Sequence, residues 1–112
     1  MKKIYISGKI TGVPIEQARA KFAEAERILM CSGMDPVNPM KNGLPETASW
    51  KEHMVEDIEM LLDCQAILML SCWRTSKGAK IKKAIAEQMG MEILTFKERN
   101  IDQKNSGAIR QS

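Results

Sequence analysis

Apolar positions along this chain alternate between two periods. Short apolar runs, Ile4-Tyr5-Ile6-Ser7, Met34 to Val37, Ala66 to Ser71 and Glu92 to Phe96, read as strands. Between them, apolar residues recur three and four apart. Ile15, Ala18, Phe22, Ala25 and Leu29 make the clearest stripe, with Glu16, Gln17, Arg19, Lys21, Glu24 and Arg27 mostly off it. That is an amphipathic helix, and Gly33 is placed to stop it. Ser49-Trp50-Lys51-Glu52 has the spacing of a capping box, so a second helix starts there, with Trp50, Met54, Ile58 and Leu61 as its expected buried stripe. A third helix, after Gly78, is expected to bury Ile81, Ala84, Ile85 and Met89 and to close at Gly90.

Strands alternating with helices imply right-handed βαβ units and a parallel sheet. Four strands and three helices give a doubly wound α/β fold of order 2-1-3-4, with helices on both faces. Ala66 to Ser71 is apolar on both sides, as a central strand must be. The topological switch point then lies between the first and third strands. It brings the Ser7-Gly8 loop beside the segment from Ser71 to Gly78, at the sheet edge where ligands bind in such folds. Residues 1–97 are expected to form this single domain. After Lys97 the periodicity fails, so 98–112 reads as a polar C-terminal tail, loose or dependent on a partner.

Composition narrows the classes. The chain has 112 residues, 44% hydrophobic and 28% charged, with a net charge of +3. No dense basic stripe with interleaved aromatics appears, which argues against nucleic acid as a partner. The longest apolar run is too short to span a bilayer, and Met1-Lys2-Lys3-Ile4 leads straight into a strand, so no membrane partner and a cytoplasmic location are expected. Cys31, Cys64 and Cys72 are odd in number, lack metal-ligand spacing and read as buried free thiols. No metal site is visible, and the loop after the first strand is not Gly-x-Gly-x-x-Gly, so no cofactor is expected.

The third helix begins with Lys77, Lys80, Lys82 and Lys83 in its first turns. Cations there oppose the helix dipole. Either the ammonium groups splay into water or an anion visits, and the second case favours phosphate-bearing ligands. Ser7, Gly8 and Gly12 suit either a backbone cradle for an anion or sugar, or an ordinary turn. Trp73 and Arg74 lie on the expected ligand side of the sheet, where an indole can stack on a planar ligand, pack at an interface or pack within its loop. His53 reads as a surface helix residue. The nine methionines mostly fill stripe positions.

Tyr5-Ile6-Ser7-Gly8-Lys9-Ile10-Thr11-Gly12, then Asn38-Pro39, then Trp50 through Asp57-Ile58, then Trp73 and Ser76-Lys77-Gly78-Ala79 resemble a small phage and bacterial domain of unknown function. This is the DUF4406 type, related to the nucleoside 2-deoxyribosyltransferases. The resemblance runs over roughly residues 3 to 96. It implies a small flavodoxin-like (Rossmann-like) sheet, a homo-oligomer, and a nucleoside or nucleotide as small-molecule partner. It further implies cleavage or transfer of an N-glycosidic bond, with a glutamate nucleophile four residues after the loop glycine. Gly78 is that glycine here, and the position falls on Lys82. A cation beside an oxocarbenium-like transition state is repulsive, so Lys82 argues against the reaction.

The resemblance also assigns Asp57 to sugar binding or proton transfer. Ser7, Gly8, Ile10, Gly12, Asn38, Trp73, Ser76 and Gly78 are the expected ligand-binding positions. Lys9 stands where the family usually has proline, and Gln65 where an aspartate is common. Glu87, five residues beyond Lys82, does not share its face cleanly. Three readings follow. One is a glycosyl-transfer enzyme of the deoxyribosyltransferase type, the second a non-catalytic binder of a nucleotide or another phosphorylated small molecule, and the third a structural oligomeric protein.

Overall fold

The computed structural model describes residues 1–96 and 109–111. The elements run β1 (Lys3–Ser7), α1 (Ile15–Cys31), β2 (Asp35–Val37), α2 (Trp50–Leu62), β3 (Ala66–Met69), α3 (Lys77–Gln88), β4 (Glu92–Phe96) and β5 (Ile109–Gln111). Two 3₁₀ turns, Pro39–Lys41 and Ser71–Thr75, follow β2 and β3. The sheet order is β2-β1-β3-β4-β5. The first four strands are parallel and keep the expected order 2-1-3-4, with Tyr5 opposite Val37 on one side and Ile67 on the other. β5 pairs antiparallel with β4, Thr95 opposite Arg110. This fifth strand was not expected from the sequence. It lies in the segment assigned to a polar tail and covers the open hydrogen-bonding edge of β4. The rest of that segment lies outside the described residues.

Strand alternation divides the core into two layers. Ile4, Ile6, Ala66 and Leu68 point to α1, where Phe22, Ala25 and Leu29 meet them. Tyr5, Ile67 and Met69 point to the other face and pack with Leu61 of α2 and Ala79 and Ala86 of α3. α1 buries Ala18, Phe22, Ala25, Ile28 and Leu29, close to its expected stripe, while Ile15 stays half-buried. Ser32 caps its C-terminus and Gly33 follows at φ +81°. The Gly33 and Met34 N–H groups donate to the Met30 and Leu29 carbonyls, which closes a Schellman turn. Gly90 ends α3 in the same way, with Met91 donating to Ala86.

α2 and α3 are both rotated from the expected phase. α2 buries Met54, Asp57 and Leu61, and leaves Trp50 43% exposed. α3 buries Gly78, Ala79, Lys82 and Ala86, while Ile81 and Ile85 are half-buried and Ala84 and Met89 exposed. The physical reason is common to both helices: a charged residue occupies the inner face of each, and the two neutralise one another. The capping box of α2 is formed as expected. Ser49 Oγ accepts from the Glu52 N–H at 3.0 Å, and Glu52 accepts from the Ser49 N–H at 2.7 Å. α3 starts earlier than expected, because Ser76 Oγ caps it by accepting from the Ala79 N–H. Of the three cysteines, none is in a disulfide, Cys64 is buried, Cys72 is partly covered and Cys31 is exposed, so the expectation of burial holds for Cys64 alone. No helix among the described residues is long and apolar enough to cross a membrane.

Candidate functional site

The predicted meeting of the first and third strand ends is present. Leu70 N–H donates to the Ser7 carbonyl at 2.8 Å, and Lys9 N–H donates to Cys72 Sγ at 3.2 Å. A proline at position 9 would lack that donor. Gly8 has a packing role here. A Cβ on it would stand 3.0 Å from Leu70 Cδ1 and 3.3 Å from Cys72 Sγ. Gly12, at φ +84°, makes a turn with open space around its Cα. Ser7 is buried on the α2–α3 side of the sheet. Its Oγ and the Tyr5 hydroxyl have no hydrogen-bond partner among the described residues.

Above Tyr5, α2 and α3 bring their inward charges together. Lys82 Nζ donates to Asp57 Oδ2 at 3.0 Å, with both side chains 6% exposed. The ammonium also lies 5.4 Å from the centre of the Tyr5 ring. The second Asp57 oxygen accepts from Asn42 Nδ2 at 2.9 Å. Asn42 Oδ1 accepts from the Leu44 N–H, which fixes the orientation of the amide. Asn42 Nδ2 also reaches His53 Nδ1 at 3.0 Å, and His53 Nε2 lies 3.1 Å from the Pro45 carbonyl. A carbonyl only accepts, so these partners assign the proton to Nε2 and the lone pair to Nδ1. The result is a continuous chain from α3 through α2 into the loop that carries Asn42 to Pro45.

Electrostatics follow from burial. Removal from water pulls the Lys82 ammonium below its ordinary pKa, and the Asp57 carboxylate resists that shift. Burial, helped by the charges of Asp57 and Cys64, raises the Tyr5 hydroxyl well above its ordinary value.

Two adjoining cavities open over this chain. The larger, about 260 Å³, is walled by Ile10, Ile15, Pro39, Met40, Leu44 and Trp50, with Thr11, Arg19, Asn42, Glu46, His53 and Asp57 as its polar groups. The smaller, about 50 Å³, is lined by Lys82, Asp57, Ser76, Gly78, Thr11, Ile10, Trp50 and Met54. Ile10, Thr11, Trp50 and Asp57 line both. An apolar wall with a few convergent polar groups is the usual make-up of a small-molecule site.

Five of the sequence candidates therefore converge: Ile10, Asp57, Ser76, Gly78 and Lys82. Ser7, Gly8, Gly12, Asn38 and Trp73 line neither cavity. Asn38 spends its side chain on the Met40 N–H and Glu26. Trp73 packs at the α3 side of the core, with the Arg74 guanidinium 4.8 Å and Lys83 Nζ 5.2 Å from its ring. Gln65 accepts from the Lys3 N–H at the opposite end of the sheet. Sequence reasoning missed Trp50, Asn42 and His53. Trp50 begins α2 at the sheet edge and faces the cavities, and His53 is half-buried in the Asn42 network.

The lysines do not gather around one anion. Lys82 pairs with Asp57, Lys83 pairs with Glu87 at 2.6 Å, and Lys77 lies 5.1 Å from the Trp50 ring centre. Arg19, the cation of the larger cavity, is bonded to Glu46 and to Glu16. No group of three or more His, Cys, Asp or Glu side chains is gathered for a metal among the described residues.

This architecture is that of the nucleoside 2-deoxyribosyltransferase-like α/β folds. The protein superposes on a 2-deoxyribosyltransferase from Bacillus psychrosaccharolyticus with a TM-score of 0.66 at 20% identity, covering 84% of this chain and 71% of that one. A 2-deoxyribosyltransferase from Leishmania mexicana gives 0.68 at 18% identity, over 99% and 79% of the two chains. A CMP N-glycosidase from Clostridium botulinum gives 0.59 at 17% identity, over 85% and 68%. No curated protein matches the sequence. Residues 2–95 match DUF4406, a domain of unknown function, and the chain belongs to that family.

Proposed function

We propose that this protein binds a nucleoside or nucleotide in the paired cavities beside α2 and does not break its N-glycosidic bond. The observation that carries the reading is the buried Lys82–Asp57 pair at 3.0 Å. Glycosyl transfer through a carboxylate nucleophile needs a free anion facing a sugar carbon that becomes positive. Here the buried carboxylate of Asp57 is neutralised by an ammonium on one oxygen and an amide donor on the other. The likeness to a deoxyribosyltransferase and a CMP N-glycosidase supports nucleoside-like ligands without supplying a nucleophile. The exposed indole of Trp50 offers a stacking surface, and Thr11, Asn42 and His53 offer polar contacts.

Every cation lining either cavity already has a carboxylate partner. The geometry therefore supports nucleosides and their monophosphates as comparable ligands. This replaces the phosphate preference that four converging lysines would have given. Titration of 2′-deoxynucleosides and their 5′-monophosphates, followed by tryptophan fluorescence, tests the reading. Saturable binding that Trp50→Ala weakens at least tenfold and Trp73→Ala leaves unchanged is the expected result. Binding that depends on Trp73 alone would move the site elsewhere. The protein is further proposed to self-associate through the apolar residues that α2 and α3 leave exposed, Val55, Leu62 and Met89. Sedimentation of the purified chain checks this.

A further inference from the structure

We propose that Lys82 is a reactive amine that captures small aldehydes, sugar-sized open-chain aldoses in particular, as an iminium ion held beside Asp57. The inference rests on the binding site proposed above but concerns different chemistry. Glycosyl transfer develops positive charge at carbon, which an ammonium opposes. Carbonyl addition develops negative charge on oxygen, which the proton passed through Asp57 neutralises. Three features of the geometry suit the second reaction. Lys82 lines the smaller cavity although its side chain is only 6% exposed. Its hydrogen-bond partner, Asp57 Oδ2 at 3.0 Å, is placed to take and return protons. The smaller cavity, about 50 Å³, admits an aldehyde head and adjoins the space of about 260 Å³ that would hold the rest of the molecule.

The step balances within the pair. Lys82 passes one proton to Asp57, and the nitrogen lone pair bonds to the carbonyl carbon while the C=O π electrons move to oxygen. That oxygen takes the proton from Asp57, giving a protonated carbinolamine. Asp57 then removes a proton from nitrogen and returns it to the hydroxyl, which leaves as water as the C=N bond forms. One ammonium and one aldehyde become one iminium and one water. The charge beside Asp57 is +1 before and after, so the buried pair ends with the electrostatic match it began with. Lysine amines act in this way once burial makes the neutral form accessible, and burial does lower the proton affinity of Lys82. Ser76 Oγ, whose lone pair is used by the Ala79 N–H, keeps its own O–H to donate to the carbonyl oxygen.

The test is reductive trapping of the intact protein. A limiting amount of glycolaldehyde or 2-deoxyribose is added at neutral pH with cyanoborohydride, and the modified lysines are mapped by peptide mass spectrometry. Lys82 is expected to be labelled at least tenfold faster than the exposed Lys80. Excess 2′-deoxyuridine, which carries no aldehyde, is expected to slow labelling of Lys82 and leave Lys80 unchanged. Lys82→Arg keeps the cation and is expected to lose the fast label while retaining the slow background. Labelling of Lys82 no faster than Lys80 would overturn the proposal. If nucleosides bind in the fluorescence titration and Lys82 is not labelled, the amine chemistry fails and the binding site stands. Fast labelling that deoxyuridine does not protect would separate the amine from the nucleoside site and overturn the shared-cavity form proposed here.

Discussion

Replacing Lys82 by methionine keeps an unbranched side chain one atom shorter and deletes its charge. The Asp57 carboxylate then stays buried with Asn42 Nδ2 as its one remaining donor among the described contacts. Removing one member of a buried pair costs about 3–5 kcal/mol, because the survivor is desolvated without compensation. Domains of this size have about 5–15 kcal/mol in total. At about 4 °C per kcal/mol, the midpoint should fall by roughly 12–20 °C. The double variant Lys82→Met, Asp57→Leu removes both charges and fills the space with apolar atoms. Such exchanges are often neutral or stabilising by about 1–4 kcal/mol, so the double variant should recover most of the loss. Asn42 keeps His53 as a partner in that variant, which limits the damage on its side. Urea unfolding of the unmodified protein, Lys82→Met, Asp57→Leu and the double variant, followed by circular dichroism, measures the four free energies, with the slopes checked for constancy. A Lys82→Met cost below about 1 kcal/mol, or a double variant as unstable as the sum of the single ones, would refute the reasoning about this pair.

Other outcomes follow from single contacts. Gly8→Ala places a methyl 3.0 Å from Leu70 Cδ1 and should cost about 1–3 kcal/mol in the same unfolding assay. Ser49→Ala removes one half of the α2 capping box and should cost about 1 kcal/mol. Burial pushes the Cys64 thiol from its ordinary 9.0 up to about 11 and also raises Tyr5, so above about pH 9 the unfolded chain loses protons that the folded one keeps. Stability should therefore fall as pH rises from about 9 to about 11, and Cys64→Ala should flatten that decline in alkaline melting curves.

The layers of the fold were legible because their residues obey simple periods. α1 has a clean stripe ending at Gly33, and Ala66 to Met69 is apolar on both faces, so the first four strands fell in the right order. The faces of α2 and α3 were misread for one reason. Asp57 lies three after Met54 and four before Leu61, and Lys82 lies three after Ala79 and four before Ala86. Both positions point inward, where a charged side chain is buried only when paired. Opposite charges at inward positions of consecutive helices were the signal that could have found the pair. Asn42 and His53 carried no comparable signal, since their contact depends on how the loop after β2 folds back on α2. The sequence could place the Ser7 and Ser71 loops together but not show that Gly8 is there for packing.

The most direct measurement is release of free base from a panel of 2′-deoxynucleosides and their 5′-monophosphates, read by chromatography for the unmodified protein beside Lys82→Glu. With the Asp57 carboxylate held by Lys82 and the Glu46 carboxylate held by Arg19, the unmodified protein should release none. Release by Lys82→Glu alone would show the cavity to be intact and only its nucleophile missing. Catalytic release by the unmodified protein would contradict the reading of Lys82 and Asp57 as a neutralised pair.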